Sequence, residues 1–375
     1  MIRLLHISDV HLGAPLSGFG AAAAERRLSV REAFRRLPAR AAEWSVDAVV
    51  VAGDLFDCAS PDRADVDVAR EVLRQLADEG RRPVVAIPGN HDSAVSPDSP
   101  WHSMPESVTT VVAPRFGPPV TVEAGGEALH VHAVAFDPAL EPAPLAGFRR
   151  GDLDGVHVAL VHASAVDNPD WTGGRGLRIT TADLERIEAD YIALGDHHAF
   201  RAPEDFAGAP ACYPGSFAAV AVDEVGPRGC VVVDLEPGAP PRVRHEGSGV
   251  PALVDLGMID VSDHADELEV ADRVGSLMPV GAPGYPVAVV AGEPSFPLDA
   301  ARVREALIER FGFAVIADRT RFIDSAHVAA LAARPTIAGH VARLGRARVE
   351  TVRGTAEEAI AERALRLALR AMEAG

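Results

Sequence analysis

Seven side chains with oxygen or imidazole donors recur at one kind of place in this sequence: Asp9 and His11, Asp54, Asn90, His162, and Asp196 with His198. Each stands at or just beyond the end of a short apolar run. No thiolate is among them. Carboxylate, amide and imidazole donors together suit a first-row divalent cation such as Mn²⁺, Fe²⁺ or Zn²⁺. Asp9/His11 and Asp196/His198 are i, i+2 pairs at loop starts, where both side chains can turn toward one point. Seven donors are more than one ion usually takes from protein. Two ions about 3.5–4 Å apart are the economical reading, with Asp54 able to bridge them. Such a pair lowers the pKa of water and stabilises charge on a phosphoryl group.

These positions demand strands that end together. Residues 48–52 form a β-branched run that stops at Gly53 and opens onto Asp54 and Asp57. A run of this kind reads as a strand covered on both faces, as in a parallel sheet. Open α/β sheets place their ligands beyond the carboxyl ends of their strands. The same reading gives strands at 2–7, 84–87, 156–161 and 191–194, each leading into a polar cluster. A helix over 21–44 carries Pro38, which is expected to break or kink it. A second helix over 63–79 places Val68, Val72 and Leu76 on one face and is expected to stop at Gly80. Short strands separated by Gly and Pro occupy 108–136. A polar, Gly-rich loop follows at 167–176, then a short helix at 181–188 and a strand at 230–235. The fold class is α/β with parallel strands.

Composition excludes some partners. All 36 basic residues are Arg, yet the formal net charge is −18. A chain this acidic does not bind nucleic acid through general basicity, so an anionic substrate must be held locally, by metal ions or by a partner. Cys58, Cys212 and Cys230 are scattered without metal-ligand spacing, which suits a reducing cytosol. Nothing resembles a signal peptide, and no apolar run approaches the roughly 20 residues of a membrane helix. The expected location is cytoplasmic, with no membrane partner.

The motifs Asp9-Val10-His11, Gly53-Asp54-Leu55-Phe56-Asp57 and Gly89-Asn90-His91-Asp92, followed by His162, resemble the calcineurin-like metallophosphoesterase superfamily. His6-Ile7-Ser8-Asp9-Val10-His11-Leu12-Gly13, Tyr191-Ile192-Ala193-Leu194-Gly195 and Tyr213-Pro214-Gly215-Ser216 resemble its DNA repair exonuclease branch, of the SbcD type. The resemblance covers about residues 1–235. It implies a β-sandwich flanked by helices. It implies that Asp9, His11, Asp54 and His198 hold one metal, and that Asp54, Asn90, His162 and residue 196 hold the other. His91 would face the scissile phosphate, and Asp57 would orient it by accepting its ring N–H. The resemblance also implies a homodimer whose carboxyl-terminal region binds the base of the coiled coil of an SbcC-like ATPase. The family usually shows Gly-His-x-His where this chain has Gly195-Asp196-His197-His198. A third carboxylate hardens the donor set, which favours Mn²⁺ or Mg²⁺.

Histidines outside the motif slots (His130, His132, His157, His245, His264, His327 and His340) read as packed or solvated imidazoles. His6 reads as support for the first loop, His197 as structural, and Asp92 as a local hydrogen-bond acceptor. The expected organisation is a catalytic domain over 1–245, a small α+β capping or DNA-binding domain over 250–324, and a helical partner-docking region over 325–375. The last helix is expected to open at Thr355-Ala356-Glu357-Glu358, a capping-box pattern. Leu365, Leu369 and Met372 form a stripe along it, with Ile360 and Leu367 offset. The reading is a Mn²⁺-dependent DNA exonuclease with some endonuclease activity. Its rivals are a phosphodiesterase of a small phosphoester and a non-catalytic scaffold on the same fold.

Overall fold

The structure is a computed structural model that describes all residues except 79–80, 139–143, 168–175, 282–283, 323–324 and 374–375. Contacts divide the chain into two compact units, Met1–Leu253 and Val254–Gly375.

In chain order the first unit contains β1 (Ile2–Ile7), α1 (Ala23–Glu43), β2 (Ala48–Ala52), α2 (Arg63–Leu76), β3 (Val84–Ile87), β4 (Thr109–Thr110), β5 (Val120–Ala124) and β6 (Glu127–Val134). It continues with β7 (Val156–His162), β8 (Ser164–Ala165), β9 (Arg178–Ile179), α3 (Thr181–Leu184), β10 (Tyr191–Gly195), β11 (Ala211–Cys212), β12 (Gly229–Leu235) and β13 (Arg242–Gly247). One sheet has the order β13-β12-β1-β2-β3-β4 and the other β11-β10-β7-β6-β5. In the first sheet β1 to β4 are mutually parallel, while β12 and β13 add an antiparallel hairpin. In the second, β6, β7, β10 and β11 are parallel, and β5 runs antiparallel to β6.

The alternation of strand side chains builds three apolar layers. Leu4, Val50 and Val85 of the first sheet meet Val131, Val158 and Ala193 of the second in the core between the sheets. On the outer face of the first sheet, Leu5, Val49 and Val51 pack beneath Phe34 and Leu37 of α1 and Val68, Val72 and Leu76 of α2. Val161, Ile192 and Leu194 line the outer face of the second with Leu184, Phe148 and Phe206. Helix α1 runs through Pro38 without interruption. The expected stop of α2 at Gly80 and most of the Gly-rich loop at 167–176 lie outside the described residues. Helix α3 is shorter than its pattern predicts, and Thr180 and Asp183 close a capping box at its start.

The second unit contains β14 (Ala252–Asp260), α4 (Glu267–Ser276), β15 (Gly284–Gly292), α5 (Ala300–Phe311) and β16 (Val315–Thr320). Its sheet has the order β14-β15-β16, and Val270, Val274, Val303 and Leu307 of the two helices pack with Ala288 and Val290. Asp299 caps α5 by accepting the N–H of Ala301. Helices α6 (Ser325–Ala332), α7 (Ile337–Val352) and α8 (Glu358–Glu373) follow. Leu365 and Leu369 of α8 pack on Val328, Leu331 and Ala342, so those two stripe residues are used internally. Ile360, Leu367 and Met372 are exposed. Glu358 reaches back to the N–H of Gly354 rather than completing the expected box with Thr355. No described helix is long and apolar enough to cross a membrane.

A buried polar contact crosses the sandwich core between β1 and β10. Nδ1 of His6 on β1 lies 2.9 Å from the hydroxyl of Tyr191 on β10. Burial pushes the His6 imidazole down to about 3, so it is neutral. Tyr191→Phe is expected to lower unfolding free energy by about 1–2 kcal/mol in chemical denaturation, the worth of a buried hydrogen bond; an unchanged midpoint would remove this contact from the account.

Candidate metal centre

The parallel strands stop in register, which brings their loops to one edge. Beyond β1 and β2 the pairing continues into the loops: Asp9 N donates to Gly53 O, His11 N to Asp54 O, and Leu12 N to Leu55 O, at 3.0–3.1 Å. In the second sheet Gly195 pairs with His162, so the loop after β10 begins level with the end of β7. Three glycines make the convergence sterically feasible. A Cβ on Gly53 would lie 2.4 Å from Nδ1 of His162, one on Gly89 2.2 Å from Oδ1 of Asp54, and one on Gly195 1.9 Å from the Ala52 carbonyl. The loops also bend sharply. Asp9, His11, Asp54 and Asp196 all have positive φ, at 50°, 49°, 50° and 98°. Such conformations are costly for non-glycine residues and cluster at functional sites.

The donors lie close together. Asp9, His11 and His198 form one group, and Asp9, Asp54 and His162 another. Nε2 of His11 and Nε2 of His198 are 3.0 Å apart, as are Nε2 of His162 and Oδ1 of Asn90. Asp9 belongs to both groups, and Oδ2 of Asp54 in the second lies 3.4 Å from Nε2 of His162 and 3.8 Å from Nε2 of His11 in the first. Asp196 Oδ1 is 3.6 Å from His162 Nε2, and Ser164 donates to its other oxygen. Ligands held about 2.0–2.2 Å from a cation lie roughly 3–3.5 Å from one another, so these separations and donor types fit divalent cations. Asp9, His11, Asp54 and His162 are buried.

The electrostatics describe a centre short of positive charge. Burial works against protonation of His11, but the Asp57 hydrogen bond and the Asp54 and Asp9 charges push it up to about 9. Burial opposes protonation of His162 too, and Asp54 and Asp196 hold it well above its ordinary value. Burial would raise Asp54; His162 and His11 instead hold it well below the usual carboxylate range.

One neighbour differs from the sequence reading. The Asp57 carboxylate lies 3.1 Å from Nδ1 of His11, whereas Nδ1 of His91 is 3.0 Å from the Asp57 main-chain carbonyl and 3.9 Å from its carboxylate. The hydrogen bond expected between the Asp57 carboxylate and His91 is thus made with His11 instead, and His91 takes the Asp57 carbonyl, with the carboxylate at ion-pair distance only. His91 is 46% exposed, at the rim. His197 lies apart from the donor groups, with its ring 5.5 Å from Tyr213.

Asp92 is buried and accepts from Phe56 N at 3.0 Å and Gly89 N at 2.7 Å, fastening two ligand loops together. Tyr213 donates to Ala163 O at 2.5 Å, and Ser216 N donates to His198 O at 2.9 Å, so the Tyr-Pro-Gly-Ser motif braces the second sheet's loops. Glu224 was not legible: its Oε1 is 2.6 Å from Nδ1 of His198, but it belongs to no motif and lies 26 residues away.

A family model described as calcineurin-like phosphoesterase matches residues 2–200. The DNA double-strand break repair protein Mre11 of Methanopyrus kandleri is 31% identical over 295 residues, covering 73% of this chain and 62% of that protein. The SbcD component of the nuclease SbcCD of Bacillus subtilis is 28% identical over 277 residues, covering 63% and 67%. Mre11 of Haloferax volcanii is 31% identical over 249 residues, covering 64% and 51%. The chain thus spans about half to two thirds of the length of these curated relatives.

The raised imidazoles have a testable consequence. His11 and His162 are protonated at pH 7 without metal, and a cation must expel those protons to reach their Nε2 atoms. Mn²⁺ affinity is expected to rise with pH up to about 9. Calorimetric titration in buffers of different ionisation enthalpy should show proton release at pH 7; binding without it would contradict the assigned charge states.

Proposed function

The chain belongs to the calcineurin-like phosphoesterase family, and on that premise we propose that it is a two-metal DNA phosphodiesterase, an exonuclease with some endonuclease activity that works in DNA repair. The observation that carries this reading is the reach of Asp54 Oδ2 to imidazoles of both donor groups, 3.4 Å from His162 and 3.8 Å from His11. The relatives named for double-strand break repair and for a nuclease support DNA as the substrate.

In this reading Asp9, His11, Asp54 and His198 hold one divalent cation, and Asp54, Asn90, His162 and Asp196 hold the other. When bound, the pair supplies Lewis acidity that makes water a nucleophile near neutral pH and neutralises charge on the phosphoryl oxygens. Asp196 adds a hard donor where the family usually has an imidazole, which favours Mn²⁺ or Mg²⁺ over Fe²⁺ and Zn²⁺, and Mn²⁺ is the ion proposed. The Asp57 carboxylate fixes the tautomer of His11. His91 stands at the open rim with Nδ1–H on the Asp57 carbonyl. That leaves Nε2 as the ring atom to face a phosphoryl oxygen or the leaving oxygen.

The chain acts as the nuclease subunit of a complex with a coiled-coil ATPase, built on a homodimer. Residues 250–324 serve as the capping or DNA-binding module, and the helical region as the docking element. Residues 325–375 carry eight Arg against five Glu in a chain of net charge −18. Their helices expose Ile337, Leu344, Ile360 and Leu367. An Arg-rich surface with apolar anchors suits a protein partner.

With Mn²⁺, degradation of linear DNA is expected to exceed turnover of a small chromogenic diester. A chain that hydrolyses the diester and leaves DNA intact is a small-phosphoester enzyme instead. His91→Ala is expected to retain both metals by elemental analysis and to lose about 10²–10⁴-fold in turnover. Loss of metal in that variant would remove His91 from its role at the phosphate.

A further inference from the structure

Glu224 lies in the segment between the Tyr-Pro-Gly-Ser motif and β12, outside the set of ligands proposed above. Its Oε1 is 2.6 Å from Nδ1 of His198, and its Oε2 accepts the N–H of Val220 at 2.9 Å. An ionised carboxylate can only accept, so Nδ1 of His198 carries the proton and Nε2 keeps its lone pair. His11 is arranged the same way, with Nδ1 3.1 Å from the Asp57 carboxylate. The two Nε2 atoms lie 3.0 Å apart. With a cation in place of any proton there, both Nε2 lone pairs are aimed at one point. His162 is held differently, with its Nδ1–H on the neutral carbonyl of Ala52 at 2.8 Å.

The same segment holds main chain as well as ring. Ser216 N and the Arg228 guanidinium both donate to the His198 carbonyl, and Phe217 N donates to the Asp9 carbonyl at 3.0 Å. Residues 216–228 therefore position two of the ligands proposed for one cation, and Glu224 is their contact with an imidazole ring.

We infer that Glu224 is a positioning residue for the metal centre: it locks His198 in the Nδ1–H tautomer with Nε2 turned toward His11, and makes this half of the centre the tighter for a divalent cation. The inference rests on the two-metal reading. Its physical basis is that a carboxylate behind a ligating imidazole fixes ring orientation and raises basicity, and here both imidazoles of one half have such a partner. The other half combines one carbonyl-backed imidazole with an amide and carboxylates.

The test is Glu224→Gln in the full chain, which keeps side-chain size and one acceptor oxygen but removes the charge. Mn²⁺ binding is followed by calorimetry and electron paramagnetic resonance, and unfolding of the metal-free form by circular dichroism. The wild type is expected to bind two ions with unequal affinity. The variant should weaken the tighter ion by about 10–100-fold, while the weaker ion and the metal-free unfolding temperature stay unchanged. Asp57→Asn should weaken the same ion. Wild-type affinity at both positions in the Gln variant overturns the inference, as does equal weakening of both ions with a fall in metal-free stability. A wild-type chain that binds no ion overturns the two-metal reading itself.

Discussion

Carboxylates and imidazoles crowd into a buried space at one edge of two sheets, and the surrounding architecture serves that crowding. Asp9, Asp54 and His162 are all but inaccessible to solvent. Uncompensated carboxylates in such a place are expensive, because burial removes their hydration and proximity makes them repel. Without metal, protons supply part of the compensation, which is why His11 and His162 hold theirs so strongly. On the two-metal reading, divalent cations would replace those protons with more charge.

Holding the ligands there constrains the backbone as much as the side chains. The left-handed conformations at Asp9, His11 and Asp54 turn consecutive donors inward, and the ladder of main-chain hydrogen bonds from residues 9–12 to 53–55 over-determines those turns. Asp92 joins a third loop to the second. Burial and the Asp54 charge lift its carboxyl to about 7 even though two backbone N–H groups stabilise the anion. That carboxyl remains because its two acceptor oxygens are what the loop N–H groups require.

Much of this was legible in the sequence because parallel strands leave a simple trace. Buried β-branched runs such as 48–52 end at a glycine, and the next polar residue is a candidate ligand. Asp54, Asn90 and Asp196 are found this way, and His162 stands at the end of its own run; the structure brings them together as the spacing suggests. Glu224 is illegible for the opposite reason: it reaches His198 across a loop whose path depends on tertiary packing, and an isolated glutamate carries no periodic signal. The partner of Asp57 was misread because a one-residue choice between carboxylate and carbonyl depends on the turn geometry. Pro38 does not break its helix, where Phe34, Leu37 and Ala41 pack on the first sheet on either side of the proline.

The donors come from the ends of strands in both sheets, from residue 9 to residue 198 of the chain. On the two-metal reading, a cation held in common would be a removable cross-link through the sandwich, closing a loop of nearly two hundred residues without a covalent bond. By mass action, an ion at one hundred times its dissociation constant adds about 2.7 kcal/mol to the folded state. Metal supply would then set how long the catalytic unit survives as well as how fast it works, and a chelator would loosen the same scaffold that it disarms.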